Sequence, residues 1–246
     1  MKQFRADLHI HTILSPCADL EMSPKNIVRK AKELNLDIIG ITDHNSTLQC
    51  EIVRKEAQKE GLTVYSGVEV TTQEEIHCLA FFGNTEALNK FQEYIDQNLP
   101  DFKNNTDLFG YQVVVDENEN IIYEEDKLLI SALNADIDSI EIMVHKLNGI
   151  FIPAHTNKPA NSLLSQLGII PPSLKVDAFE ITNQITKEAF LSQNHLSDNT
   201  VIIRNSDAHF INQIASIATI FEMGSPDFSE FRLALNNLSG RKVVMQ

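Results

Sequence analysis

Phe4-Arg5-Ala6-Asp7-Leu8-His9-Ile10-His11-Thr12 and, after a helical segment, Asp37-Ile38-Ile39-Gly40-Ile41-Thr42-Asp43-His44-Asn45 establish the architecture of the chain. Each is an apolar run that ends in a polar, histidine-bearing cluster, the pattern of a strand buried in a sheet at the point where it leaves it. Between them Ser23-Pro24 suits an N-cap and first turn, and Ile27, Val28, Ala31 and Leu34 follow at helical spacing to about Asn35. Strand, helix, strand is the unit of an α/β protein.

On either side the same rhythm continues. Strands are predicted at Phe4 to His9, Asp37 to Thr42, Leu62 to Val68, Ile76 to Phe82, Gly149 to Ala154, Asp177 to Ile181, Val201 to Asn205 and Ile217 to Phe221. Helices are predicted at Leu48 to Glu60, Thr85 to Gln97, Ile137 to Leu147, Thr186 to His195 and Phe228 to Leu238. Near-continuously apolar strands predict a largely parallel sheet covered by helices, and seven or eight of them can close into a barrel. In such barrels functional groups gather at the carboxyl ends of the strands. A polar stretch at about 99–135 interrupts the alternation. Gln112 to Val115 and Ile121 to Tyr123 read there as a hairpin inside an insertion, so residues 1–246 read as a single domain that carries it.

The 246 residues, 43% of them hydrophobic, suffice for one sizeable core. Twenty Lys and Arg against 34 Asp and Glu leave a net charge of −14. That balance disfavours an electrostatic grip on long nucleic acid, although a bound cation can still hold a short nucleotide. Three cysteines show no disulfide framework, the first residues lack a signal-peptide core, and no run approaches the ~18–20 apolar residues of a membrane span. A cytoplasmic protein without membrane contact is expected.

Six of the eight histidines stand at strand ends. His9 and His11 close the first strand, His44 follows the second, His77 begins the fourth, His155 ends the fifth, and Asp207 and His209 follow the seventh; Glu69 ends the third. Residues two apart on a strand share a face, so His9 and His11 can converge on one ion. Imidazoles and carboxylates ligate zinc, manganese or iron, and the mixed set leaves the metal open. Taken singly, each residue has an ordinary polar role; their recurrence at one kind of position points to a metal centre.

DLHIHT, ITDHN, GVEVT, PAH and SDAH, in that order from about Phe4 to Phe221, resemble the motifs of the PHP (polymerase and histidinol phosphatase) family of metal-dependent phosphoesterases. The resemblance implies a distorted seven-stranded, TIM-like β/α barrel with two or three divalent ions at its strand carboxyl ends. It implies a first ion held by His9, His11, Glu69 and Asp207, a second bridged by Glu69 and completed by His77 and His155, and a third held by His44 and His209. Where the third ion usually has another ligand, Ser15 to Glu21 departs from the family pattern and offers Cys17, Asp19 or Glu21. Asp7 and Asp43 are expected to orient ligand imidazoles through their other nitrogen, or to serve as caps. His145 and His195 need no function, and Cys50 and Cys78 read as core.

The expected reaction is hydrolysis of a phosphate ester by a metal-bridged hydroxide, with Asp207, His209 or His44 assisting proton transfer. Lys158 and Arg204 are candidate phosphate contacts, and Asn45 a candidate pocket residue. The expected substrate is a small phosphorylated metabolite or a nucleotide. An exonuclease-type phosphodiesterase acting on a short oligonucleotide, an amidohydrolase-type C–N hydrolase and a non-catalytic metal-binding scaffold are the alternatives. The insertion is expected to hang over the pocket as a lid or specificity element, with packing on the barrel's outside as the alternative.

Overall fold

A computed structural model describes residues 1–244. Its strands are β1 (Lys2–Ile10), β2 (Ile38–Ile41), β3 (Thr63–Thr71), β4 (His77–Phe82), β5 (Val113–Val115), β6 (Ile121–Glu124), β7 (Ile150–Pro153), β8 (Phe179–Glu180), β9 (Ile202–Ile203), β10 (Thr219–Met223) and β11 (Lys242–Val244). The α-helices are α1 (Pro24–Glu33), α2 (Cys50–Lys59), α3 (Thr85–Asn98), α4 (Thr106–Phe109), α5 (Ile137–Lys146), α6 (Leu163–Leu167), α7 (Lys187–Gln193) and α8 (Phe228–Leu235). The eight predicted strands and six predicted helices are present with shifted ends; most are trimmed, while β1, β3, β10 and α3 run past their expected limits. The short α4 and α6 and the terminal β11 are additions.

Seven strands form one curled sheet in the order β11-β10-β1-β2-β3-β4-β7. The expected predominance of parallel pairing is corrected. β1–β2 and β2–β3 are parallel, whereas β3–β4, β4–β7, β1–β10 and β10–β11 are antiparallel. For β3–β4 chain length is the cause, because a parallel crossover needs about a dozen residues or more, and only Thr72 to Ile76 separate the two strands. β4 therefore runs downward, which places His77, its first residue, beside the carboxyl end of β3.

The parallel pair β8–β9 carries the curl from β7 back to β1. Asp177 N–H donates to Phe151 O at 3.0 Å and Thr156 N–H to Glu180 O at 2.7 Å on one side. On the other, Ala208 N–H donates to His9 O at 3.1 Å and His11 N–H to Ala208 O at 3.0 Å. The result is a distorted seven-stranded barrel of β1, β2, β3, β4, β7, β8 and β9, with β10 and β11 extending it beyond β1.

One apolar cluster gathers Ala6, Leu8, Ile38, Leu79, Phe81, Ile152 and Ile203 from the barrel strands, closed by Phe231, Ala234 and Leu235 of α8. A larger one packs α1, α2, α3 and α5 against the sheet through residues such as Ile27, Val53, Phe91 and Ile140. The β1–β2 register slips between Asp7 and Ile10. That bulge lets β1 give Ala6 and Leu8 to the barrel cluster lower down and His9 and His11 to the site above, which strict alternation would forbid.

The insertion holds α4 and the β5–β6 hairpin, as the turn-rich sequence between two β-like pieces predicts. β5 is buried and β6 fully exposed. The insertion lies against the loops that follow β1 and β2: a side chain added at Gly110 would meet Pro16 O at 2.7 Å, and Gln49 Oε1 accepts from Val115 N–H at 2.9 Å.

Candidate metal centre

The strand ends converge. Glu69, fully buried, comes from β3. Its Oε1 lies 3.2 Å from His9 Nε2, 3.1 Å from His77 Nδ1 and 3.2 Å from His155 Nε2, and its Oε2 lies 3.3 Å from His11 Nε2 and 3.2 Å from His44 Nδ1. Asp207 Oδ1 adds 3.4 Å approaches to both His9 Nε2 and His11 Nε2. The His209 ring stacks on His11 with centroids 4.0 Å apart. All eight metal-ligand candidates named from the sequence thus meet in one place.

Their ligand atoms fall into overlapping groups within 4.8 Å: His9, His11, Glu69 and Asp207; His11, His44 and His209; and His44, Glu69 and His77. The first matches the expected first site. In the other two His11 joins His44 and His209, and His44 stands with Glu69 and His77, while His155 reaches the centre through Glu69. Among the described residues, none of these groups includes Cys17, Asp19 or Glu21. Cys17 itself is exposed, although crowding around its sulfur, with help from Glu69 and Asp207, pushes its thiol up to about 12.

Two strained turns aim the ligands. His155 has φ 29° and Asp207 φ 54°, left-handed values that non-glycine residues adopt at a cost the surroundings must offset. A web of buried acceptors does so. Asp7 accepts from Ser206 N–H at 3.0 Å, Ser206 Oγ–H at 2.6 Å and Ala215 N–H at 2.9 Å, tying the Asp207 turn to β1. Asp43 accepts from Thr12 N–H at 2.6 Å, Thr12 Oγ1–H at 2.8 Å and Ser15 Oγ–H at 2.7 Å, and Ser15 Oγ lies 3.0 Å from His11 Nδ1. Of the two roles expected for Asp7 and Asp43, the capping one is made: both accept from backbone N–H groups, neither bonds an imidazole directly, and Asp43 is linked to His11 by hydrogen bonds through Ser15.

The carboxylate that touches a ligand ring from behind is Glu180, 3.1–3.2 Å from His9 Nδ1. Neither Glu180 nor Ser15 stands in a motif that marks it from the sequence as a partner of a ligand ring. The available signal was a lone glutamate between Phe179 and Ile181 in a buried strand, the same pattern as Val68-Glu69-Val70.

Electrostatics follow from crowding. Burial opposes protonation of His9, but Glu69, Glu180 and Asp207 outweigh it and raise its pKa. His44 is driven well below the ordinary imidazole value, chiefly by burial, and burial with the neighbouring His11 brings His209 down to about 4. Burial alone would raise the carboxyls of Glu69 and Asp207, but the surrounding histidines hold both well below the usual range. A divalent cation fits this donor set on a further observation. His9 Nε2, His11 Nε2, His44 Nδ1, His155 Nδ1 and Glu69 Oε2 are buried without a hydrogen-bond partner, and buried polar atoms are rarely left so.

The three expected substrate contacts diverge. Lys158 Nζ bonds Asp207 Oδ2, at the lip of the centre, with its side chain 40% exposed. Arg204 is turned to Ile185, whose carbonyl accepts from Nη2 at 2.6 Å. The Asn45 amide is consumed by structure: Nδ2 donates to Leu129 O at 2.7 Å and Ser131 O at 2.8 Å, and Oδ1 accepts from Thr71 N–H at 3.1 Å.

Comparison with known proteins bears on the family and the fold. A family model described as the PHP domain matches residues 7–166. The uncharacterized protein YqxK of Bacillus subtilis is 23% identical over 99% of this chain, which spans 65% of YqxK. The 5'-3' exoribonuclease Rnm of Salmonella typhimurium is 34% identical over 79 residues, 31% of this chain and 26% of Rnm. The crystal structure of the lesion-specific endonuclease PfuEndoQ from Pyrococcus furiosus superposes with a TM-score of 0.71 and 21% identity, covering 98% of this chain and 58% of that one. The chain thus spans less than two thirds of each of these relatives.

Proposed function

Because the chain belongs to the PHP family of metal-dependent phosphoesterases, we propose that it hydrolyses a phosphate ester of a small phosphorylated metabolite or nucleotide at the histidine-lined centre. One observation carries this reading: a single buried carboxylate, Glu69, meets five imidazole nitrogens at 3.1–3.3 Å, a donor set that would suit more than one divalent cation. His9, His11, Glu69 and Asp207 would hold a first ion, Glu69, His77 and His155 a second, and His44 and His209 a third, with zinc, manganese and iron all compatible. When bound, divalent ions supply Lewis acidity toward phosphoryl oxygens and lower the pKa of an attacking water.

The chain's own groups do the rest. Lys158, already drawn to Asp207, is placed to offset charge on a phosphoryl oxygen entering beside it. Proton transfer at the reacting phosphate falls to Asp207, His209 or His44, whichever is not taken up in holding an ion. Arg204 and Asn45 are assigned to holding the walls of the site, by their bonds to Ile185 and to residues 129–131. The net charge of −14 favours a small substrate over a long polymer. A second reading, hydrolysis of a phosphodiester in a short nucleic acid, draws on the names of two relatives, an exoribonuclease and an endonuclease. Among the described residues no helix is long and apolar enough to cross a membrane, and Cys17, Cys50 and Cys78 are free thiols, which supports a cytoplasmic setting.

The test couples metal analysis to phosphate release across nucleotides, sugar phosphates and short oligonucleotides with zinc, manganese or iron, beside a deaminase panel. Phosphoester cleavage that tracks metal content is expected. C–N cleavage without phosphate release would establish the amidohydrolase reading instead, and metal binding without hydrolysis under every ion would establish a scaffold.

A further inference from the structure

Glu180 ends β8 with its carboxylate buried, the residue 2% exposed. Its Oε1 accepts from Asn205 Nδ2–H at 2.7 Å, its Oε2 accepts from the His155 N–H at 2.7 Å, and His9 Nδ1 sits 3.2 Å and 3.1 Å from the two oxygens. Asn205 has no freedom to turn, because its Oδ1 accepts from Leu8 N–H at 2.8 Å, leaving Nδ2 toward Glu180. Donors thus approach from β1, from the turn after β7 and from the loop after β9, and only a group that accepts at both atoms answers all three.

We propose that Glu180 is a positioning residue serving both neighbouring ion sites at once. By accepting from Nδ1–H it fixes the ring so that Nε2 is the nitrogen aimed at Glu69 and Asp207 and the one open to an ion. By holding the His155 N–H it keeps that ligand in its left-handed turn. The role rests on the metal-centre reading given above for the first and second ions. Carboxylates behind ligand imidazoles fix tautomer and ring orientation in general, and their loss costs about 10–100-fold in metal affinity. What is particular here is the sharing of one carboxylate between a side chain of one site and the backbone of another, with an asparagine pinned against it.

That pinning makes a sharp test. Glutamine has the shape of glutamate, but its terminal NH₂ must meet either Asn205 Nδ2–H or the His155 N–H, donor against donor. Glu180→Gln should therefore act far beyond its size. Adding Asn205→Asp supplies an acceptor for that NH₂ and still accepts from Leu8 N–H, so the amide oxygen of the introduced glutamine is returned to His155 and His9.

The experiment reads the His9 Nδ1 proton and its hydrogen bond by imidazole ¹H–¹⁵N correlation in metal-free protein, and zinc affinity by competition with a chelator. Wild type should show a hydrogen-bonded Nδ1–H on His9, whatever Nε2 carries. Glu180→Gln should lose that bonded Nδ1–H and weaken zinc at both sites by about 10–100-fold, and the double variant should regain the bond and most of the affinity. A wild-type Nδ1–H signal and affinity in Glu180→Gln, or no recovery in the double variant, would overturn the role. Should Glu180→Gln fail to fold, Asn205→Ala decides. It removes one donor and leaves the carboxylate on His9 and His155, so the bonded Nδ1–H must persist with near-wild-type zinc affinity, and loss of either overturns the role. Because the Nδ1–H is read without metal, a protein that binds no ion refutes the metal-centre reading while Glu180's hold on His9 is still decided.

Discussion

Glu69 illustrates how a costly burial becomes useful at the level of one side chain. An ionised carboxylate in a dry interior is expensive unless paired, and here its oxygens are ringed by imidazoles rather than by fixed cations. Removing a ring from that set should be felt as lost ion binding before it is felt as lost packing. His9→Ala and Asp207→Ala are expected to release metal and cut phosphoester turnover by about 10³-fold or more, since Lewis-acid stabilisation is worth several kcal/mol; metal analysis beside a turnover assay checks this, and full metal content with full activity would refute the first-ion assignment. Lys158→Ala is expected to raise KM or lower kcat about 10-fold at unchanged metal content, in line with loss of one charge-assisted contact. The eight ligand candidates were legible because each stands in a short motif at a strand end. Glu180, Ser15 and Asn205 were not, because their meaning lies in partners remote along the chain: Glu180 meets His9 across 171 positions.

Among the elements, the sequence announced which segments are strands but not the direction of each. β4 reverses because the link from β3 is short, and β10 lies antiparallel on the outer side of β1. Close approach constrains the ladder as well. A side chain at Gly40 in β2 would stand 2.5 Å from Leu8 O of β1, so Gly40→Ala should destabilise the fold by about 1–3 kcal/mol through overpacking. Thermal melting would show it, and an unchanged midpoint would mean that the β1–β2 pair yields freely. The insertion is tied to the site by Asn45, whose left-handed backbone, φ 45°, suits asparagine. Asn45→Ala removes three hydrogen bonds and is expected to cost about 2–3 kcal/mol while raising amide exchange at 129–131. Unaltered protection there would show that other contacts anchor the segment.

For the molecule as a whole, two couplings to solution conditions follow. His145 in α5 bonds Glu141 through Nδ1 and Asp177, just before β8, through Nε2 at 3.0 Å. Asp177 foremost, then Glu141, raises its pKa above the ordinary 6.5 against partial burial. A raised histidine stabilises fully below its unfolded value and loses that contribution as pH climbs through the folded one. The melting gap between metal-free wild type and His145→Gln should therefore be full below about pH 6 and narrow as the pH climbs above it, and a constant gap would exclude the ion pairs as its source. Chelation should lower the melting temperature reversibly, because an ion at 100 times its Kd contributes about 2.7 kcal/mol; a melt indifferent to chelator and added zinc alike would argue against a bound ion. The sequence by itself determined the α/β class, the strand-borne histidines and the family, because hydrophobic period and short motifs are local properties of a chain. Only the folded molecule decided the mixed strand directions, the sharing of Glu69 among five rings, the diversion of Arg204 and Asn45 to structural bonds and the bracket at Glu180. These depend on which distant donors and acceptors burial forces into contact, and no local pattern records that.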